Sequence, residues 1–221
     1  MKGPFPKLGG AALLLLAAGC ADAEWSDDAI PLAEATVEGG EFFPERLYRG
    51  RDTYDRNPVL DEFSRGYYSA ALSDADERPL VALAKAGPAD GLQLRFIWLP
   101  SFHNPAVITV STTTQGQRRL VAKRILTPWT EDAAKPDIPV NRMLTDEESA
   151  RLDQVIERSQ VLSQPARDPR ASGLDGSRWV VEAADGEAYH LVTRWSPEDG
   201  PVREVGTVMI GLTGWKLEEI Y

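Results

Sequence analysis

Two β-rich runs flank Asp185-Gly186 in residues 177–195, "SRWVVEAADGEAYHLVTRW", and no other stretch limits the fold as strongly. Asp-Gly suits a two-residue hairpin turn whose central positions take φ > 0. That turn sets Ala184 against Glu187, Val181 against His190 and Trp179 against Val192. Side chains alternate along a strand, so one face carries Trp179, Val181, His190 and Val192. The other carries Val180, Tyr189 and Leu191. Both faces are largely apolar, which places the hairpin inside a sheet covered on at least one side and partly on the other.

The same period recurs upstream. Leu92, Leu94, Phe96 and Trp98 share a face of "LQLRFIWL" (92–99), and "AVITVST" (106–112) and "RLVAKRI" (119–125) continue as strands around the polar turn "TTQGQ". Residues 92–125 therefore read as a three-stranded antiparallel meander, with "PSFHNP" (100–105) a loop bracketed by prolines. Helical spacing marks Pro58 to Leu72, with Val59, Leu60, Phe63, Tyr67, Ala70 and Ala71 inward. A short helix follows Pro79 and stops at Gly87-Pro88. Thr145 and Glu148 form a capping box ahead of Leu152, Val155, Ile156 and Ser159. A last helix uses Val202, Val205, Met209, Leu212 and Trp215, with Gly206, Gly211 and Gly214 allowing close approach to the sheet. Residues 127–143, with Pro128, Pro136 and Pro139, read as a loop held by Trp129. The expected fold class is α+β: an antiparallel sheet of about five strands, meander plus hairpin, with helices packed on it.

The amino end reads as an address. Lys2 and Lys7 precede "LGGAALLLLAA", which is shorter than the roughly 20 apolar residues of a spanning helix and has the length of a signal-peptide core. Ala17-Ala18-Gly19-Cys20 follows, and Cys20 is the only cysteine in the chain. This stretch resembles a bacterial lipobox, although Leu16 lies one place upstream of the position where the family has leucine. The resemblance implies removal of residues 1–19, acylation of Cys20 and no transmembrane helix. Two or more acyl chains are needed for stable anchoring. Ala21 after the cysteine implies the outer membrane, facing the periplasm. An ordinary peptidase could instead cut after Ala23, at the A-x-A pattern of residues 21–23.

From Asp22 to Glu41 there are seven acidic side chains and no basic one, so residues 20–45 read as an acidic disordered tether. Residues 46–221 then form a single α+β domain. Losing Lys2 and Lys7 with the leader takes the formal net charge from −10 to −12. That charge argues against nucleic acid, whose phosphates demand clustered Lys and Arg. The acyl chains, not the protein surface, would hold the domain to anionic lipid.

"ERPL" (77–80), "RFIWLPSFHNP" (95–105), "RLVAKR" (119–124) and "LDGSRWVVEAADGEAYHLVTRWSPEDG" (174–200) resemble a group of uncharacterised bacterial proteins with the same order of segments. The resemblance covers residues 55–215 and implies no activity.

Catalytic signatures are missing. The sequence has no G-x-S-x-G, no P-loop and no G-x-G-x-x-G opening a helix. Zinc takes three or four His, Cys or carboxylate ligands, and His103 and His190 are the only histidines. No metal or cofactor is therefore expected. Either histidine beside a carboxylate could serve as a general acid or base, or be a hydrogen-bonded residue of the sheet. Arginine and aromatic residues concentrate at Tyr48, Arg49 and Tyr54 and again at Arg194 and Trp195, residue types enriched in binding hot spots. The expected function is a lipid-anchored binding or structural module of the cell envelope, meeting a protein partner. The alternative is a periplasmic, hydrolase-like enzyme using His103 or His190.

Overall fold

A computed structural model of the chain describes residues 24–49, 58–126, 138–168, 173, 175–217 and 220–221. Cys20, Tyr54 and Trp129 lie outside these residues, as does the apolar leader. Seven strands lie among the described residues: β1 (Ile30–Pro31), β2 (Gln93–Pro100), β3 (Ala106–Thr112), β4 (Arg118–Arg124), β5 (Val140–Met143), β6 (Ser177–Ala184) and β7 (Ala188–Trp195). They form one antiparallel sheet in the order β1-β7-β6-β2-β3-β4-β5. The meander and the hairpin stand where the alternation of side chains puts them, and β6 joins them by pairing with β2. The α+β class holds, with seven strands instead of five. The two additions are β1, inside the expected tether, and β5, inside the expected 127–143 loop.

The hairpin register differs from expectation by two places. Val181 pairs with Val192 and Ala183 with His190. The turn is centred on Gly186 and Glu187, with Asp185 N–H donating to Ala188 O at 3.0 Å. The Asp185 carboxylate accepts from the Glu187 and Ala188 N–H groups at 2.8 and 2.9 Å, a local cap that moves the turn along by one residue. No residue of this turn has positive φ. Gly186 is needed for close approach instead, since a Cβ there would come within 2.3 Å of Ala89 O. A slip of two preserves the parity of a strand, so the faces stand as read. Trp179, Val181 and Val192 belong to one apolar cluster, and Val180, Tyr189 and Leu191 to the other.

Helices cover both faces. On the first lie α4 (Asp146–Ser159) and α5 (Pro201–Thr213), packed on Leu94, Phe96, Trp98, Trp179 and Val181. The Thr145–Glu148 capping box forms both of its hydrogen bonds, at 3.1 and 2.9 Å, and Leu152, Val155, Ile156 and Ser159 are buried. In α5 only Gly206 serves close approach to the sheet: a Cβ would meet the Phe96 and Trp179 rings at 2.6 Å. Gly211 meets nothing, and Gly214 caps the helix with φ 72°.

The second face carries α1 (Arg46–Arg49), α2 (Glu62–Asp74) and α3 (Leu80–Ala86). Helix α2 starts at Glu62, not Pro58, because the Asp61 side chain accepts the Ser64 N–H at 2.7 Å. Its inward stripe is Tyr68, Ala71 and Leu72, continued by Ala75. Phe63 and Tyr67, expected inward, stack on one another outside, with Phe63 78% exposed.

The expected tether is a correction from Glu24 onward. Ile30, Leu32, Ala35 and Phe43 are buried, and β1 pairs with β7, Ile30 against Tyr189 and Pro31 against Ala188. Pro31, without an N–H, fits an edge strand. The acidic side chains between these apolar anchors face outward, where Glu34 meets Arg46 and Glu41 meets Arg65, both at 3.0 Å. Charge count alone read the segment as solvated. The spacing of its apolar residues decides otherwise.

Candidate functional site

Strands β2 and β6 present two tryptophans side by side. Trp98 and Trp179 are register partners on the α5 face, both almost completely buried. An indole N–H is a donor only, and a buried one needs an acceptor. Both find the same atom. The main-chain oxygen of Tyr221 accepts from Trp179 Nε1 at 2.8 Å and from Trp98 Nε1 at 3.4 Å, and the hydroxyl of buried Ser177 donates to it as well. Three buried donors thus converge on one oxygen.

The rest of Tyr221 is also held. Its phenolic oxygen accepts the Phe102 N–H at 3.2 Å. Its ring lies edge-on to Trp98 at 6.2 Å and 5.7 Å from the His103 ring, while His103 stacks on Trp98 at 6.3 Å. Arg203 donates to Ile220 O at 2.9 Å, and its guanidinium lies 4.6 Å over the Trp179 ring. Arg124 lies 5.7 Å over Trp98. The result is an aromatic cup with convergent donors inside and two cations on its walls, suited to an acceptor oxygen beside an aromatic ring. Ser177 Oγ bonds to Tyr221 and accepts from Trp179. Among the described residues no histidine or carboxylate is bonded to it to act as a base.

The structure separates the two histidines. His103 belongs to the cup. His190 faces Ala183, four residues along β6 from Trp179, which is roughly 13 Å of strand. His190 Nε2 donates to Gln164 O at 2.8 Å, so that nitrogen carries the proton. Burial lowers its pKa below the ordinary 6.5, with Arg194 acting the same way and Asp28 against it. A neutral buried histidine costs stability in acid, because the unfolded chain takes up a proton that the folded chain refuses. The contribution is whole above the ordinary value and is lost as pH falls below it. The urea midpoint of His190→Gln should therefore fall less than that of the unaltered chain between pH 7.5 and 5.5. Parallel profiles would place the acid sensitivity elsewhere.

Arg194 and Trp195 line a small cleft of about 250 Å³ with Gln164, Asp168, Glu198 and Asp199. The Arg194 guanidinium donates to Thr193 O and Pro165 O at 2.8 and 3.0 Å, and burial lowers its pKa. Trp195 packs against Gly173 and Gly176 and carries the Arg178 guanidinium 5.0 Å over its ring. Tyr48 lies under Arg65 at 4.6 Å, and Arg49 pairs with Glu38 and Glu45. Arg194 is the register partner of Trp179, so its cleft adjoins the cup along β7, whereas Tyr48 packs on the opposite face of the sheet.

Sequence reasoning did not find a buried ion cluster on the opposite face. Arg95 and Glu182, both with no exposed surface, are register partners on β2 and β6. Arg95 donates to Glu182 and Glu77 at 3.0 Å each, to Thr109 at 3.1 Å and to Arg78 O at 2.6 Å. Tyr189 donates to the other Glu182 oxygen at 3.0 Å. Burial raises the Glu182 pKa in spite of the guanidinium beside it. The cluster ties the α2–α3 connection to the sheet. Its signal was one charge in the middle of each apolar strand, at positions that meet only once β2 is known to pair with β6.

Among the described residues no group of three His, Cys, Asp or Glu side chains could hold a metal ion. No helix among them is long and apolar enough to cross a membrane. Neither a family model nor a curated protein matches the sequence.

Proposed function

We propose that this chain is a lipid-anchored binding module of the cell envelope, and that its contact site is the Trp98–Trp179 cup. One observation carries the reading: three buried donors converge on a main-chain oxygen of a segment that belongs to no strand or helix. Such an arrangement suits the main-chain acceptor of a peptide, and its one hydroxyl, Ser177, has no base bonded to it among the described residues. Cys20 would provide the anchor and the outer membrane the site, with the negative charge keeping the domain off anionic lipid. The hydrolase alternative draws no support from histidines that attach to different ends of the sheet.

Phe102, 48% exposed at the rim of the cup, is the place to test this. A photo-crosslinking residue at Phe102 should capture an envelope protein in cells, one at Met143 should not, and Ser177→Ala should suppress the adduct. Cys20→Ser should release the chain from the membrane fraction. A folded, membrane-bound chain with no adduct at Phe102 would overturn the binding site, and release unaffected by Cys20→Ser would overturn the anchor.

A further inference from the structure

We infer that Ile220 and Tyr221 are an intramolecular ligand, and that the cup takes a peptide presenting a tyrosine beside its main-chain acceptor oxygen. The inference rests on the cup being the contact site, and it names the ligand class and the competitor.

The contacts described for these two residues are ones that a separate peptide could make. Tyr221 offers a main-chain oxygen, a ring and a hydroxyl, and Ile220 offers a carbonyl to Arg203. None of these is a sheet ladder or helix bond. On the receiving side, the donors are fixed by the sheet. Trp98, Trp179 and Ser177 stand on paired strands, so their positions are set by the sheet and not by Tyr221. Without Tyr221, Trp179 Nε1 keeps Ser177 Oγ as acceptor but Trp98 Nε1 loses its acceptor among the described residues. A donor without an acceptor in a shielded site is costly, so the cup favours an occupant. Phe102 N–H and the ring contacts with Trp98 and His103 select an aromatic side chain that carries a hydroxyl.

The two guanidiniums on the walls favour an acceptor oxygen bearing negative charge over a neutral carbonyl. A tethered segment competes at an effective concentration on the order of millimolar. A partner therefore gains the cup only with better contacts or a high local concentration, which makes binding conditional.

The test uses the full chain, its Tyr221→Gly variant and a six-residue peptide with the sequence of residues 216–221, KLEEIY, as free acid and as amide. The readout is the indole N–H resonances of Trp98 and Trp179. The variant should bind the acid at least tenfold more tightly than the full chain does, and binding should return both resonances to their positions in the unaltered protein. Tighter binding of the acid than the amide supports a carboxylate acceptor, and equal binding supports a carbonyl one. A folded variant whose indole resonances ignore either peptide overturns the inference, as does equal binding by variant and full chain. If Tyr221→Gly does not fold, excess peptide added to the unaltered chain should move the Tyr221 ring resonances to solvent values. Unmoved resonances at millimolar peptide overturn the proposal. An adduct at Phe102 that persists without peptide binding removes this inference alone, whereas loss of both removes the binding-site reading beneath it.

Discussion

Arg95→Met should lower the unfolding free energy by about 3–5 kcal/mol, the cost of removing one partner of a buried ion pair. Methionine roughly fills the arginine's space, so the effect isolates charge from volume. Glu182, with no exposed surface, then loses its counter-charge and keeps the Tyr189 hydroxyl as its hydrogen-bond donor among the described residues. Glu182→Gln should cost less, because Arg95 still holds Glu77, Thr109 and Arg78 O. The double variant separates two explanations. If the leftover carboxylate is the problem, Arg95→Met with Glu182→Gln will be more stable than the sum of single effects, by roughly 0.5–3 kcal/mol of coupling. Urea unfolding of the four proteins measures it, and strict additivity would sink the account.

Glycine to alanine in α5 should act with opposite signs at two positions. Gly206→Ala should destabilise by about 1–3 kcal/mol, as overpacking does in a filled core, since the new Cβ meets two rigid rings at 2.6 Å. Gly211→Ala should stabilise by about 0.5–1 kcal/mol, because its Cβ meets nothing and alanine is the better helix former. Thermal unfolding of both variants is sufficient. A Gly206→Ala protein as stable as Gly211→Ala would mean that α5 can lift off the sheet. The Trp179 ring touched by Gly206 also walls the cup, so Gly206→Ala should shift its indole resonance and Gly211→Ala should not.

What could be read in advance follows the reach of local physics. Strand faces were legible because alternation needs no partner, and so the two tryptophans and Tyr189 were assigned to the correct sides. Register was not, because it depends on where the Asp185 side chain caps the turn and on Ala89 crowding Gly186. Strands of two and four residues carry no period, which is why β1 and β5 passed as tether and loop. The cup was half visible: His103 and the tryptophans stood in recognised elements. The acceptor that the donors share comes from a residue distant in sequence, and nothing near Trp98 announces Tyr221. The Arg–Glu cluster failed for the same reason, its members lying on strands whose pairing is non-local.

The strand order also dictates a timetable. The β2–β3–β4 meander is made of neighbours and can close as soon as it is synthesised, but β2 then shows an open edge until β6 arrives, Leu94 waiting for Ala183. The first strand waits longer still, since Ile30 has no partner before Tyr189 exists. Long-range pairing of this kind is slow and leaves edges available to other chains. A protein with this topology should therefore complete its sheet late, and a chaperone that covers the β2 edge should raise its yield more than one that acts on the finished domain.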